Sequence, residues 1–160
     1  MPNTLETIGV SCFQECENLV YASVPFLSEN MFDRCINLQE VEFTGEFTKV
    51  NGGAFDNCEA LQEITLPNSV EIIGDSAFQK CTSLKSINIP TPLTTIESYA
   101  FCDCNGLTEL TIPSHVTTMG SAAFGNCNNL TINVYFTQDN LPSDWANDWA
   151  DGVKQINYAQ

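Results

Sequence analysis

Residues 67–89 read PNSVEIIGDSAFQKCTSLKSINI, and variants of this 23-residue stretch follow one another along most of the 160-residue chain. Within the stretch, Phe78 stands three residues before Cys81, and Leu84 stands three residues after it. The same Phe, Cys and Leu triplet occurs six times, and from Cys35 onward the cysteines of the triplet are 23 residues apart. A repeat of this length is the signature of a solenoid, in which stacked coils bury one another's apolar faces.

The phenylalanine and the cysteine of each triplet are expected to form two ladders of buried side chains. Free cysteine is a small, strongly buried hydrophobic residue, so one copy per coil at a constant position indicates packing. Single thiols 23 residues apart, with no histidine beside them, do not fit a zinc site. We therefore expect free thiols, no metal and no cofactor. The predicted core residues are Phe13, Phe32, Phe55, Phe78, Phe101, Phe124, Cys16, Cys35, Cys58, Cys81, Cys104 and Cys127.

Each unit divides into a strand and a turn. The segment from Leu84 to Ile89 alternates apolar and polar residues, as a short strand with one buried face does. In residues 76–81, Phe78 and Cys81 are three apart and would share one face of a helical or 3₁₀ turn. The predicted fold is an α/β-type solenoid of about six coils, with a parallel sheet on one face and short helical or 3₁₀ turns or loops opposite.

The repeat register places the solenoid at residues 2–134, with Pro2 and Leu5 at the positions of Pro67 and Val70. The predicted coils are 2–24, 25–43, 44–66, 67–89, 90–112 and 113–134. Residues 135–160 lack the repeat pattern and are predicted to form a C-terminal cap, because the last coil would otherwise expose its core. Within this cap, the residues from Leu141 to Trp145 suggest a helical turn with an N-cap at Ser143 or Asp144.

Composition argues against two classes of partner. The chain has 20 acidic and 5 basic residues, a net charge of -15. Nucleic acids and anionic lipid surfaces both require clusters of Lys and Arg, so neither is an expected partner. The sequence has no stretch of about 20 apolar residues, so we expect no membrane insertion. We expect a monomer.

The repeat resembles the BspA-type leucine-rich repeat. The resemblance rests on the pattern P-x-S-V-x-x-I-G-x-x-A-F-x-x-C-x-x-L-x-x-I-x-I, which covers roughly residues 2–134. Two departures are Met31, at the small position before the phenylalanine, and Glu97, at the position of Gly74 and Gly120. The resemblance implies a secreted or surface-displayed protein that acts in adhesion and protein recognition and is not an enzyme.

Three further residues could carry chemistry. Cys102 occupies the position of Gln79 and Gly125, which we expect to be exposed, whereas Cys12 is expected to lie in the core. His115, the only histidine, falls in a turn and is expected to be solvated. An enzyme would have to use Cys102 and His115, which makes a thiol-redox or hydrolytic activity the least favoured interpretation.

The outward residues of the predicted strands form a polar, partly acidic face. Because stacked strands align these side chains, the face is the predicted site for a protein ligand, such as a host or cell-surface protein with a basic patch. The alternative interpretation is a structural spacer that displays another domain. The predicted ligand-binding residues are Tyr21, Glu40, Glu42, Glu63, Thr65, Asn88, Glu109 and Thr111.

Overall fold

The computed structural model describes residues 7–160, which wind into a stack of parallel coils. Pro2 and Leu5, which the sequence places in the first coil, lie outside the described residues. The strands of the described part, in chain order, are β1 (Tyr21–Val24), β2 (Glu40–Phe43), β3 (Lys49–Val50), β4 (Glu63–Ile64), β5 (Ile72–Ile73), β6 (Ser86–Ile87), β7 (Thr95–Ile96), β8 (Glu109–Ile112), β9 (Thr118–Met119), β10 (Thr131–Val134), β11 (Asp144–Trp145) and β12 (Gln155–Asn157).

One side of the stack is the predicted row of parallel strands, which we call the front row. It contains β1, β2, β4, β6, β8, β10 and β12, hydrogen-bonded in three groups: β1–β2, β4–β6 and β8–β10–β12. The register aligns inward residues of neighbouring coils, as in the pair Ile64 and Ile87 and the pair Leu110 and Ile132. Equivalent side chains therefore contact each other along the stack.

A second parallel sheet, which the repeat pattern did not predict, lies in the first half of each coil. Its order is β11-β9-β7-β5-β3, and it is continuous over five coils. Its inward residues include Val50, Ile73 and Ile96, all fully buried. Each strand has only two residues, so the apolar and polar alternation is too short to stand out in the sequence.

The turns opposite the front row are not helical, so the α/β description in the predicted fold class is not confirmed. Of the predicted alternatives for this side the structure has loops, and the chain is a β-solenoid. In the described residues the single helix is a 3₁₀ turn at Gln138–Asn140. Around Phe78 the backbone N–H groups alternate in direction. Ala77 N donates to Gly74 O within the turn (3.1 Å), whereas Phe78 N donates to Ala100 O of the next coil (2.8 Å). A helix would use both N–H groups internally and leave none for the neighbouring coil.

Left-handed residues make this alternation possible. Ser76 and Lys80 have φ of 54° and 57°, and the equivalent positions in other coils are also left-handed. The left-handed conformation costs roughly 1–2 kcal/mol for each residue that has a side chain. The bonds they permit run along the stack: Ser76 N donates to Ser98 O (2.9 Å) and Lys80 N to Cys102 O (2.8 Å).

The phenylalanines form a continuous stack of rings. Ring centroids of neighbouring coils are 5.6 Å apart for Phe13 and Phe32 and 5.0 Å for Phe101 and Phe124, with interplanar angles of 8° and 6°. Phe32 and the four later members are fully buried. Phe13 is only half-buried, because it lies in the first described coil and has a neighbouring ring on one side only.

The cysteine ladder is held by thiol hydrogen bonds as well as by packing. Cys81 Sγ donates to Phe55 O of the preceding coil (3.2 Å), and Cys104 Sγ to Phe78 O (3.0 Å). Cys16 departs from its predicted place in the core, and so does Cys12: both are exposed, because they lie in the first described coil. The other members of the ladder, Cys35, Cys58, Cys81, Cys104 and Cys127, are fully buried.

The contacts of Glu97 explain why it replaces the glycine that other coils have at its position. Its Oε1 accepts a bond from Lys49 Nζ (2.9 Å), two coils away, and its Oε2 accepts one from Asp75 N (2.9 Å). On the other side of Glu97, a Cβ on Gly120 would lie 2.3 Å from Ser98 N. A glycine is therefore needed at position 120 to let the chain pass close to the coil that carries Glu97.

The tail at residues 135–160 continues the coil path. Strand β12 pairs with β10, and β11 pairs with β9. The predicted helical turn with an N-cap at Ser143 or Asp144 is wrong. Instead, Asp144 and Trp145 form β11, because buried Trp145 extends the inward row at the level of Met119.

Trp149 closes the stack of rings. Its carbonyl accepts the bond from Phe124 N (2.8 Å), as the carbonyl of Ala123 does from Phe101 N. In the coil after Phe124, Trp149 thus occupies the position that Ala123 holds in the coil of Phe124. Its ring meets Phe124 edge-on, with centroids 6.1 Å apart and planes at 84°. Trp149 is 4% exposed and covers the last ring of the stack.

Replacing a central ring should cost far more than replacing the terminal one. Phe78→Ala should lower the free energy of unfolding by about 3–5 kcal/mol, because it opens a cavity between two stacked rings. Phe13→Ala, in half-buried Phe13, should cost about 1–2 kcal/mol. Urea denaturation of both variants measures the difference, and a loss for Phe78→Ala no larger than that for Phe13→Ala would show that a ring gains no extra stability from lying between two others.

Candidate functional site

The predicted ligand-binding residues point outward from the front row, and we call this outward side the strand face. Seven of the eight are exposed, and Asn88 is half-buried. Their orientation follows from strand alternation, since inward neighbours such as Val41 and Leu110 are buried. Their role in binding stays a prediction.

Four of the eight residues come together at one open cleft of about 580 Å³. Glu40 and Glu42 of β2 line it together with Thr65 and Asn88 of the next two coils. The cleft lies where the front row is interrupted, between the β1–β2 and β4–β6 groups. It therefore combines two carboxylates with a break in the ladder of strands.

Asn88 shapes this cleft through a contact with the backbone. Its Oδ1 accepts a bond from Leu66 N (2.7 Å), and its Nδ2 donates to Leu66 O (3.0 Å). The β4–β6 ladder ends at Ile64 and Ile87, so the amide side chain replaces the strand pairing that is missing beyond them. Asn88 thus stabilises the wall of the cleft through its contact with the Leu66 backbone. Its position in the repeat did not predict this contact.

Glu42 is oriented by Tyr21 of the neighbouring strand. The Tyr21 hydroxyl donates to Glu42 Oε2 (2.7 Å). This bond lowers the pKa of Glu42 from its ordinary value and raises the pKa of Tyr21. Glu42 is therefore a fixed, ionised acceptor at neutral pH.

The other predicted residues lie along the same face outside the cleft. Glu63 and Glu40 line a second shallow cleft together with Lys85, whose Nζ donates to Gln62 Oε1 (3.0 Å). Glu109 is three strands from β2 in the front row. It accepts a bond from Asn133 Nδ2 (2.9 Å). Thr111 is exposed on the same strand as Glu109.

Carboxylates on the strand face are not neutralised by ion pairs. In residues 7–160, the ion pairs are Arg34–Glu15 (2.8 Å) and Lys49–Glu97 (2.9 Å). Neither pair includes a residue of the strand face. With a net charge of -15, the strand face presents its negative charge to solvent.

Glu46 is a cleft residue that the repeat pattern missed. It lies in the 44–46 loop, where later coils carry a proline, and its Oε2 accepts a bond from Ser69 Oγ (2.6 Å). A Cβ on Gly45 would lie 2.4 Å from Pro25 O, so a glycine is needed where this loop crosses the preceding coil. The break in the repeat was the available signal.

Cys102 and His115 differ from their predicted surroundings. Cys102 is 6% exposed, because it packs in its turn beside Gly125, which has no side chain to fill the space. Burial raises the pKa of its thiol to about 11, so the thiol is protonated at neutral pH and is a poor nucleophile. His115 is half-buried rather than solvated, and its Nε2 has no hydrogen-bond partner.

Metal-binding clusters and membrane-spanning helices are both absent from the described part of the chain. Residues 7–160 contain no group of three or more His, Cys, Asp or Glu side chains that could hold a metal ion. Across the same residues, no helix has the length and apolar character needed to cross a membrane.

Comparison with known families and structures agrees with this architecture. The family model described as "BspA type Leucine rich repeat region" matches the chain in six copies, with residues 1–26 matched. No curated protein matches the chain.

Three solved structures share the fold. The leucine-rich repeat protein TpLRR of T. pallidum has a TM-score of 0.76 and 23% identity, over 99% of this chain and 71% of its own. A leucine-rich repeat protein from Eubacterium ventriosum has a TM-score of 0.61 and 26% identity, over 67% of this chain and 30% of its own. A leucine-rich cell surface protein from Faecalibacterium prausnitzii has a TM-score of 0.58 and 17% identity, over 94% of this chain and 62% of its own.

Thiol labelling of the folded protein should distinguish the ends of the cysteine ladder. Cys12 and Cys16 are exposed and should react within minutes with a thiol reagent at neutral pH. Cys102 and the buried ladder thiols should react only when the protein opens, because burial raises their pKa. The double variant Cys12→Ser/Cys16→Ser should then show no fast labelling, whereas fast labelling of Cys102 would contradict its observed burial.

Substitution of Gly45 should disturb the cleft loop. Gly45→Ala places a methyl group against the Pro25 carbonyl and should cost about 1–3 kcal/mol, the range for overpacking. Gly9→Ala is the control, since a Cβ on Gly9 would have no atom within 4 Å. Thermal unfolding of both variants measures the effect, and an unchanged Gly45→Ala would show that the loop moves freely away from Pro25.

Proposed function

Since the chain belongs to the BspA-type leucine-rich-repeat family, we propose that it is a non-catalytic recognition module that binds a protein partner on the strand face. The observation that carries the proposal is the cleft beside β2, where Glu40, Glu42 and Glu46 meet on a rigid stack of coils. Binding sites built on rigid elements lose little conformational entropy when a partner docks.

The chemistry of the cleft favours a basic partner. Its carboxylates lack ion-pair partners among residues 7–160, and Tyr21 holds Glu42 ionised. A negative surface of this kind speeds the encounter with a positively charged one. Because the contacts are exposed, each should contribute only about 0.2–1 kcal/mol, and salt should weaken them.

Two observations support a non-catalytic role. The thiol of Cys102 is buried and protonated at neutral pH. His115 Nε2 is buried, so it is not placed to take a proton from a substrate. These two residues were the candidates for a thiol-redox or hydrolytic activity, and neither has the surroundings that such chemistry needs.

We also propose that the protein works at the cell surface or outside the cell, in adhesion. The support is the family and the name of the Faecalibacterium prausnitzii protein of similar fold, which is described as a cell surface protein. A basic patch on a host or cell-surface protein would be the matching partner.

Charge reversal in two matched pairs tests the role of the strand face. The probe is a short oligolysine peptide, titrated at low salt. Glu40→Lys/Glu42→Lys should weaken its binding about 5-fold or more, because two contacts of up to 1 kcal/mol are lost. Glu71→Lys/Asp75→Lys makes the same change in net charge at exposed positions away from the strand face, and should weaken binding less than about 2-fold.

The titration separates three outcomes. Equal weakening by both pairs would mean that the peptide responds to the total charge and that the cleft has no special role. No binding at any salt concentration would favour the structural spacer. Amide chemical-shift changes confined to β2, β4 and the 44–46 loop would support the proposed cleft directly.

A further inference from the structure

Two aspartates occupy equivalent positions in neighbouring turns, on the side of the stack away from the strand face. Asp33 follows Phe32, and Asp56 follows Phe55. The two turns are in direct backbone contact, since Arg34 N donates to Asp56 O (2.8 Å). The stacking therefore places Asp33 and Asp56 at the same position of neighbouring turns, whose backbones are about 5 Å apart.

Each carboxyl group has one buried oxygen without a hydrogen-bond donor. Asp33 is 9% exposed, and its Oδ2 accepts a bond from Gln14 Nε2 (2.7 Å), but its Oδ1 is buried and has no partner. Asp56 Oδ1 is likewise buried and has no partner. A buried acceptor without a donor is costly, and the cost is larger when the carboxyl group is ionised, so protonation of the carboxyl group lowers it.

We propose that Asp56, next to Asp33, binds one proton at mildly acidic pH and that this proton strengthens the turn side of the solenoid. The proton comes from solvent and forms an O–H bond on the Asp56 carboxyl group, which removes a buried negative charge beside Asp33. This proposal is independent of the strand face and its ligand. A metal ion is a poorer occupant, because the described residues contain no third ligand group to complete a site.

The charges around the pair do not remove the need for a proton. Arg34 is engaged with Glu15 (2.8 Å), and neither Arg34 nor Lys80 forms an ion pair with either aspartate. Both cations lower the pKa of Asp56, but burial and the charge of Asp33 outweigh them and raise it to about 6. The remaining titratable groups nearby are Glu29 and Asp75, which line a cavity beside Asp56, and the buried thiols Cys35 and Cys58.

The direction of the pH effect is set by this raised pKa. The folded protein binds the proton below about pH 6, whereas an unfolded aspartate binds it only near its ordinary value of about 3.8. Between these values the folded state holds more protons at Asp56, so the contribution of Asp56 to stability rises as the pH falls from 7 to 4. Above pH 6 this contribution is lost, because Asp56 then holds a buried negative charge next to Asp33.

Replacement of Asp56 by its amide tests the stability effect. Asp56→Asn removes one charge and supplies a donor, so it should raise the Tm by about 3 °C at pH 7.5 and change it by less than about 1 °C at pH 4.5. Asp75→Asn removes the same charge from an exposed side chain in the next coil and should change the Tm by less than about 1 °C at both pH values. Equal pH profiles for the two variants would overturn the proposal, since the effect would then come from net charge alone.

A titration followed by NMR tests, in the unaltered protein, whether Asp56 binds the proton and whether Asp33 raises the midpoint. The side-chain carboxyl carbon of Asp56 should titrate with a midpoint near pH 6, and Asp33→Asn should move this midpoint down by about one unit. A wild-type midpoint below pH 4.5 would overturn the proposal. So would a midpoint that Asp33→Asn leaves unchanged.

Discussion

The structure depends on backbone hydrogen bonds that run along the stack from one turn to the next. Alternate N–H groups, such as those of Ser76, Phe78 and Lys80, donate to carbonyls of the following coil. These bonds fix the turns at a spacing of about 5 Å. At that distance aromatic rings stack with centroids 5.0 to 5.6 Å apart, and a cysteine thiol reaches a carbonyl of the preceding coil. The phenylalanine and cysteine ladders are therefore consequences of the backbone spacing as much as causes of it.

Much of this arrangement could be predicted from the sequence because a solenoid repeats its contacts at a fixed interval. The recurrence of the triplet at Phe78, Cys81 and Leu84 predicted stacked coils, and the apolar and polar alternation from Leu84 to Ile89 predicted a row of parallel strands. The turn conformation could not be predicted, because three residues of spacing fit a helical turn as well as a chain with left-handed residues at Ser76 and Lys80. The repeat also gave no indication that Trp149 would take the small position of a further coil, since this depends on contacts with Phe124 across the stack.

In the candidate site, too, the sequence predicts local features but not those that depend on contacts between coils. Strand alternation correctly places Glu40 and Glu42 on the outside, because a residue's side of a strand is a local property. The cleft itself is not local. It requires Gly45 to pass against Pro25 and the Asn88 amide to bind the Leu66 backbone, and both contacts join different coils. A departure from a repeat is thus where a solenoid acquires a distinct surface, but the sequence alone does not give the shape of that surface.

A stack of equivalent positions also brings like charges together, and burial decides how costly their repulsion is. Glu40 and Glu63 lie on the outward side of neighbouring coils of the front row, and both are exposed, so water and salt screen their repulsion. Glu97 lies at a repeat position and reaches Lys49, which neutralises it. For Asp33 and Asp56, neither solvent nor an ion pair relieves the repulsion. Their unpartnered oxygens are buried, and no ion pair in residues 7–160 includes either residue. The strand face can therefore keep its charge in contact with solvent, which the proposed recognition role requires, whereas on the turn side the same repetition underlies the proposed dependence of stability on a proton.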